Sequence, residues 1–343
     1  MPLATPEQYR NMLDAARAGG FAYPGINVSS SETLNAALRG LAVARSDGIV
    51  EITTSAARYL SGPAADMSTG AQAFAEFAHK LAERSPVLVA LHTDHATREH
   101  LDDFLRPLLR ESRRRRERGE QPLFNSHMFD GSELPLADNL RIAKELLREA
   151  REIDVLLEFE IGVVGGEEDG LDHEEVGRER LYTTPEDALA VARTLGTGER
   201  GRYLLSATFG NVHGHYAPGN VRLRPELLGE LQAAVRECFP DGSGFDFVFH
   251  GSSGSTPGEM EAAIVHGVVK VNIDTDMQYA FTHAVADHVL EHADSFDIGA
   301  GDGIDKSVYD PRAWGQRAEA AMAARVVEAA ETLGSSGRSL VDS

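Results

Sequence analysis

Eight short apolar runs, each followed by a stretch with helical spacing, limit most strongly what this 343-residue chain can fold into. The runs cover residues 21–28, 47–54, 87–95, 123–130, 154–161, 203–210, 245–250 and 267–276. Consecutive apolar positions suit a strand covered on both faces, as in a parallel sheet. Helix-period segments fall at 71–84, 98–118, 136–152 and 185–195, and near 276–292 and 311–333. Another opens at Ser31-Glu32-Thr33 behind a hydroxyl suited to capping. This alternation predicts one (β/α)8 TIM barrel spanning 1–343, with additional C-terminal helices. An open doubly wound sheet fits less well. The first run is not followed by Gly-x-Gly-x-x-Gly, and no shift in composition marks a linker.

Composition removes several function classes. A net charge of −21 argues against nucleic acid or an anionic membrane as a partner held by bulk charge. A small phosphorylated substrate is not excluded, because backbone N–H groups bind phosphate inside acidic proteins. Cys238 is the one cysteine, which leaves no disulfide framework and no thiolate zinc site. The first residues lack a basic stretch leading into an apolar run, and no apolar run is long enough to span a membrane. A cytoplasmic protein is therefore expected. Of 33 basic residues only Lys80, Lys144, Lys270 and Lys306 are lysines, so a Schiff-base enzyme would have to use one of these. The run Arg113 to Arg118 reads as a solvated helix face.

In a barrel of this kind chemistry gathers where strands end. Three apolar runs lead to histidine: His95 after Asp94, His213 within Phe209-Gly210-Asn211-Val212-His213-Gly214, and His250 after Phe249. Three protein ligands with an open fourth position is the pattern of a catalytic zinc site. His92, His127, His215 and His266 are competing donors, of which His127 and His215 read as packing residues. Because neighbours on a strand face opposite ways, Asp94 and His95 should act from different directions, one on a proton and one on a metal. Gly251-Ser252-Ser253-Gly254 and Asn272-Ile273-Asp274-Thr275 follow the last two runs, where barrels commonly bind phosphate. The stretch Gly165-Gly166-Glu167-Glu168-Asp169-Gly170 reads as a long polar loop, either a solvated acidic segment or a hinged lid.

Taken in order, His92-Thr93-Asp94-His95, the Gly165–Gly170 stretch, the His213 and His250 motifs and Asn272-x-Asp274-Thr275-Asp276 resemble class II, zinc-dependent fructose-bisphosphate aldolases. The likeness runs over nearly the whole chain, and the length matches the longer, class IIA branch. The resemblance implies that His95, His213 and His250 hold a catalytic Zn2+. It implies that Asp94 serves the C4 hydroxyl as acid and base, and that Glu168 takes the C1 proton of dihydroxyacetone phosphate. Asp130 and Glu160 match acidic positions for a second or displaced divalent metal, and a monovalent cation, Na+ or K+, is expected nearby. Gly214, Gly251, Ser253, Asn272, Asp274 and Thr275 match phosphate and triose positions. Asn27 matches a substrate-contacting asparagine, Thr53 keeps a hydroxyl near the distal phosphate, and Arg325 matches an arginine for that same phosphate, the one other than the triose's. A homodimer or homotetramer is implied, in which Arg325 serves its own or a neighbouring subunit.

The chain departs from the family where the distal half of the sugar would lie. Ser55 and Ala56 follow Thr53-Thr54 where two glycines are usual, Ser252 replaces a glycine, and His283-Ala284 stands where Arg-Pro is expected. Fructose 1,6-bisphosphate is the expected substrate. Tagatose or sedoheptulose bisphosphate, or another aldehyde partner, is the alternative within enzymes. A lysine Schiff-base aldolase using Lys270 and a non-catalytic sugar-phosphate-binding barrel are the remaining readings.

Overall fold

The computed structural model describes residues 3–168, 171–172, 181–213, 222–296 and 305–342, with backbone alone at 165–168, 171–172, 213 and 342. In chain order its strands are β1 Tyr23–Asn27, β2 Gly48–Thr53, β3 Val89–Thr97, β4 Ser126–Asp130 and β5 Leu156–Ile161. Then follow β6 Gly165–Glu168, β7 Leu171–Asp172, β8 Tyr203–Ala207, β9 Val212–His213, β10 Asp246–Phe249 and β11 Val268–Ile273. Eight of these close a barrel in the order β1-β11-β10-β8-β5-β4-β3-β2, every neighbouring pair parallel. The predicted (β/α)8 architecture is therefore the one observed, and the helices Thr275–Glu291, Lys306–Tyr309 and Pro311–Thr332 close the chain. No helix among the described residues is long and apolar enough to cross a membrane.

Period-two alternation sorts each strand into an outer and an inner face. Leu157, Phe159 and Ile161 of β5 join the apolar layer between barrel and helices. The intervening Leu156, Glu158 and Glu160 are equally buried but turn inward. At the lower end the inward side chains are apolar: Tyr23, Ile49, Ala90, Leu204 and Val248 pack against Tyr9, Met12 and Leu13. These last three lie on the helix Pro6–Gly19, which begins with a Thr5–Gln8 capping box and seals this end. Higher up the interior becomes polar, and there the site is found.

Two expectations need correction. The stretch from Gly165 is not a structureless loop as far as it is described: β6 pairs antiparallel with β7 and parallel with β9. His213 does not end the sixth barrel strand, which stops at Ala207. It lies on β9, outside the barrel, opposite Gly166.

Tight packing beside β2 gives a stability test. A Cβ placed on Gly70 of the helix Met67–Ala82 would overlap the carbonyl oxygen of Ala57 on the helix Thr54–Leu60. We expect Gly70→Ala to destabilise the fold by about 1–3 kcal/mol, the usual cost of overpacking, as read by urea denaturation. An unchanged midpoint would show that the two helices separate at little cost.

Candidate active site

β3 carries one residue too many for its partner. Thr93 lies opposite His127 and Ala96 opposite Phe129, so three steps on β3 span two on β4. The extra residue is absorbed at His95, whose φ of 45° lies in the left-handed region that side chains other than glycine rarely adopt. Asp94 faces inward by normal alternation, and the bulge swings His95 inward as well. Opposite facing was expected of these neighbours; instead His95 Nε2 lies 4.0 Å from Asp94 Oδ1. Backbone strain of this kind gathers at functional sites.

His250 completes the group. Its Nδ1 is 3.1 Å from His95 Nε2, the rings meeting edge to face at 89°. Each ring turns its other nitrogen to a carboxylate. His95 Nδ1 donates to Asp130 Oδ2 at 3.0 Å, and His250 Nε2 donates to Glu158 Oε1 at 2.8 Å. An ionised carboxylate can only accept, so each neutral ring keeps its proton on that side. Burial pushes the Asp130 carboxyl up, but the hydrogen bonds from His95 and from the Ser132 N–H outweigh it, leaving it at about 2. In Glu158 burial again acts upward, and Lys270, His92 and His250 overcome it. Two bare ring nitrogens therefore face each other, with Asp94 beside them, an arrangement that repels itself unless a cation lies between. Their separation is close to the roughly 3.4 Å edge of a tetrahedron with zinc–nitrogen arms of about 2.1 Å. Nitrogen and carboxylate donors, buried and oriented by carboxylates, fit zinc or a similar divalent metal.

The third expected ligand, His213, is described by its backbone. Two contacts hold its strand to His250. Asn211 Nδ2 donates to the His250 carbonyl at 2.8 Å while its Oδ1 accepts from Phe209 N at 2.9 Å. Gly251 has φ 63°, and a Cβ there would lie 2.7 Å from the Val212 carbonyl carbon. Only glycine allows that approach without strain. Glu168 ends β6 with its side chain undescribed, and Gly214 lies outside the described residues.

Asp94 is fully buried and held at both oxygens. Asn27 Nδ2 donates to Oδ2 at 3.0 Å and Asn272 Nδ2 donates to Oδ1 at 3.1 Å. The Oδ1 atoms of both asparagines lack hydrogen-bond partners among the described residues. Ser252, one of the departures, donates to the Asn272 carbonyl at 2.7 Å, which ties the turn after β10 to β11. Ser253 is buried beside it. Thr275 opens the helix Thr275–Glu291.

Beside Asn27 lies a cleft of about 320 Å³ lined by residues that include Thr53, Ser55, Tyr59, Asp274 and Gln278. Among the described residues no lysine or arginine lines it. Thr53 Oγ1 caps the helix Thr54–Leu60, accepting from Ala56 N, and lies 2.9 Å from Ser55 Oγ. Both oxygens of Asp274 accept from Gln278. Arg325 is engaged by Asp276 at 2.5 Å, with Glu328 at 3.5 Å. Glu160 accepts from Ser206 Oγ at 2.9 Å. Among the described residues the donor groups that converge in threes are Asp94/His95/His250 and His92/Asp94/Glu158, and neither contains Asp130 or Glu160. The contact made by Asp130 is that of a carboxylate orienting His95.

A charged layer under the site is the part not read from the sequence. Lys270 Nζ, fully buried, lies 2.7 Å from Glu158 Oε2 and 2.8 Å from Glu51 Oε1. Burial alone would lower the ammonium pKa, but Glu158, Glu51 and Asp94 outweigh it and raise it. Buried and paired with two carboxylates, Lys270 is not placed to act as a nucleophile, which argues against the Schiff-base reading. Burial drives the Glu51 carboxyl well above its ordinary value: Lys270 opposes this, and Asp94 and Glu158 reinforce it. His92 bonds Ser126 Oγ through Nδ1 at 2.8 Å, and Ser126 in turn reaches Tyr9 on the sealing helix. His127 turns outward to Thr93 and packs tilted against the Phe124 ring, the packing role expected of it.

Comparison with known proteins points to one family. A family model described as "Fructose-bisphosphate aldolase class-II" matches residues 7–338. A fructose-bisphosphate aldolase of Streptomyces galbus is 58% identical over 99% of this chain and 100% of its own length. One from Mycobacterium tuberculosis is 52% identical over 99% of each chain. The crystal structure of fructose-bisphosphate aldolase from Campylobacter jejuni superposes with a TM-score of 0.85 at 35% identity, covering 98% of this chain and 97% of that one. The chain belongs to the class-II fructose-bisphosphate aldolases, a family of lyases.

Proposed function

We propose that the protein is a zinc-dependent enzyme that reversibly cleaves fructose 1,6-bisphosphate to dihydroxyacetone phosphate and glyceraldehyde 3-phosphate. The observation that carries this reading is the meeting of His95 Nε2 and His250 Nδ1 at 3.1 Å, each ring oriented from behind by a carboxylate, in a chain of this family. His95, His213 and His250 would hold the metal. Zinc bound there supplies the positive charge that an enediolate needs as the C3–C4 bond breaks, worth several kcal/mol.

The remaining work falls to side chains of this chain. Asp94 takes the proton of the C4 hydroxyl as that oxygen becomes the aldehyde, and returns it in the condensation direction. Asn27 and Asn272 fix both carboxylate oxygens, so little reorganisation is needed when the proton moves. Their free Oδ1 atoms remain available to substrate hydroxyls. Glu168 returns a proton to C1 of the enediolate and removes it in reverse. Gly214, Gly251, Ser253, Asn272, Asp274 and Thr275 are assigned to the triose phosphate. Thr53 and Arg325 are assigned to the distal phosphate, Arg325 after release from Asp276. Asp130 and Glu160 remain the proposed position of a second metal, and a monovalent cation near the triose phosphate is part of the same proposal. The assembly is proposed to be a cytoplasmic homodimer or homotetramer, a reading supported by the exposed Tyr279 and Leu290 on one helix.

A second reading is a related ketose-bisphosphate aldolase acting on tagatose or sedoheptulose bisphosphate. It is favoured by the cleft beside Asn27, which carries Ser55 and Ala56 where two glycines are usual and, among the described residues, no cationic lining side chain. A coupled assay of the three bisphosphates, with and without chelator, tests both readings. We expect fructose 1,6-bisphosphate to give the highest kcat/KM, with activity lost to chelator and restored by zinc. A preference for another ketose would move the assignment to the second reading, and chelator-resistant cleavage would remove zinc from it.

Two substitutions test the residue roles. Asp94→Ala should keep about one zinc per chain and lose roughly 10²–10⁴-fold in kcat, the range for a lost acid–base group; loss of zinc in metal analysis would instead make the residue a ligand. Glu168→Ala should slow release of tritium from labelled dihydroxyacetone phosphate by a comparable factor. Unchanged detritiation would remove that role.

A further inference from the structure

The charged layer beneath the site has no place in the proposed reaction, yet one of its members touches a proposed metal ligand. Glu158 is shared between two donors: Oε1 accepts from His250 Nε2 at 2.8 Å and Oε2 accepts from Lys270 Nζ at 2.7 Å. All three side chains are buried. Imidazole carries one mobile proton, and the nitrogen that holds it cannot ligate a metal. The orientation of His250 is useful only if that proton stays on Nε2, away from His95. Asn272 Nδ2, 3.5 Å from His250 Nδ1, approaches as a donor and is consistent with a bare nitrogen there.

We propose that Lys270 is a positioning residue for the metal site: by binding one oxygen of Glu158 it presents the other to His250 Nε2, fixing the ring tautomer that leaves Nδ1 free. Lys270 touches neither substrate nor metal in this account. Its effect passes through one carboxylate, whose two oxygens are equivalent acceptors. That equivalence makes the idea testable, because an amide in the same place is not symmetric. In Glu158→Gln the lysine, which can only donate, holds the amide oxygen. The amide NH2 is then turned to His250 Nε2, and the ring proton moves to Nδ1. Removing the lysine as well frees the glutamine to rotate and offer its oxygen to Nε2.

The inference rests on His250 being a metal ligand, and the experiment separates the two. In metal-free protein with 15N-labelled histidine, the imidazole shifts report the His250 tautomer whether or not zinc is ever bound. Competition with a chromophoric chelator gives the zinc dissociation constant, and thermal melting reports folding. The wild type should show Nε2–H. Glu158→Gln should show Nδ1–H and bind zinc roughly 10–100-fold more weakly, the usual cost of losing a group that orients a metal-bound histidine. The double variant Glu158→Gln/Lys270→Met should return to Nε2–H and recover at least half of that loss on a logarithmic scale. A folded Glu158→Gln that keeps Nε2–H, or a double variant no tighter for zinc than the single, overturns the role of Lys270. If the single variant does not fold, the charge-balanced double decides by itself: Nε2–H supports the proposal and Nδ1–H overturns it. Failure of the wild type to bind zinc, with the tautomers as expected, would overturn the proposed metal instead.

Discussion

One surplus residue in β3 governs the architecture of the site. A regular strand would have shown Asp94 to the barrel interior and His95 to the surrounding helices. The bulge breaks that alternation, and the left-handed backbone at His95 is its local cost. Parallel neighbours on both sides hold the strand in place, so the strain cannot relax by slipping register, which would move every apolar side chain to the wrong face. The imidazole and the carboxylate thus share one cavity, and His250, Asn27 and Asn272 converge on them from β10, β1 and β11. Without the bulge the two asparagines would still clamp Asp94, but His250 would face an empty corner.

The barrel was legible because its signal is repeated. Eight apolar runs at regular intervals leave few topologies, and each barrel strand falls inside its predicted run except β3, which continues past His95 to Thr97. That exception has a physical cause: a polar Asp-His pair looks like the end of a buried strand, and nothing local announces that pairing resumes at Ala96. His213 was misplaced for a related reason. The run 203–210 is buried to its end, but Phe209 leaves the barrel to bridge Tyr182, so the histidine arrives on a separate strand. The partners of Asp94, His95 and His250 are products of tertiary approach, since Asn27, Asp130 and Glu158 lie 67, 35 and 92 positions from the residues they bond. Sequence marked some of these residues without showing their pairing.

Lys270 and Glu158 carried a readable warning. Charged residues at inward positions of otherwise apolar strands, Leu-Leu-Glu-Phe-Glu and Val-Val-Lys-Val-Asn, are expensive to bury unless they meet. Their presence in two such strands announces a buried pair before any coordinates are known. Which strands face each other across the barrel is what the pattern alone does not supply. The cleft beside Asn27 is the opposite case. Its lining of small polar side chains was visible as a departure at Ser55 and Ala56, and the fold adds how tightly those residues are held, with Thr53 capping the short helix that carries them.

The helix Pro6–Gly19 gives the barrel a floor. Tyr9, Met12 and Leu13 fill the lower mouth, and the Tyr9 hydroxyl meets Ser126 where the apolar plug gives way to the polar interior. Among the described residues the lower end is therefore closed. Whatever enters to react leaves by the same upper opening, past β6, β9 and the turns after β10 and β11.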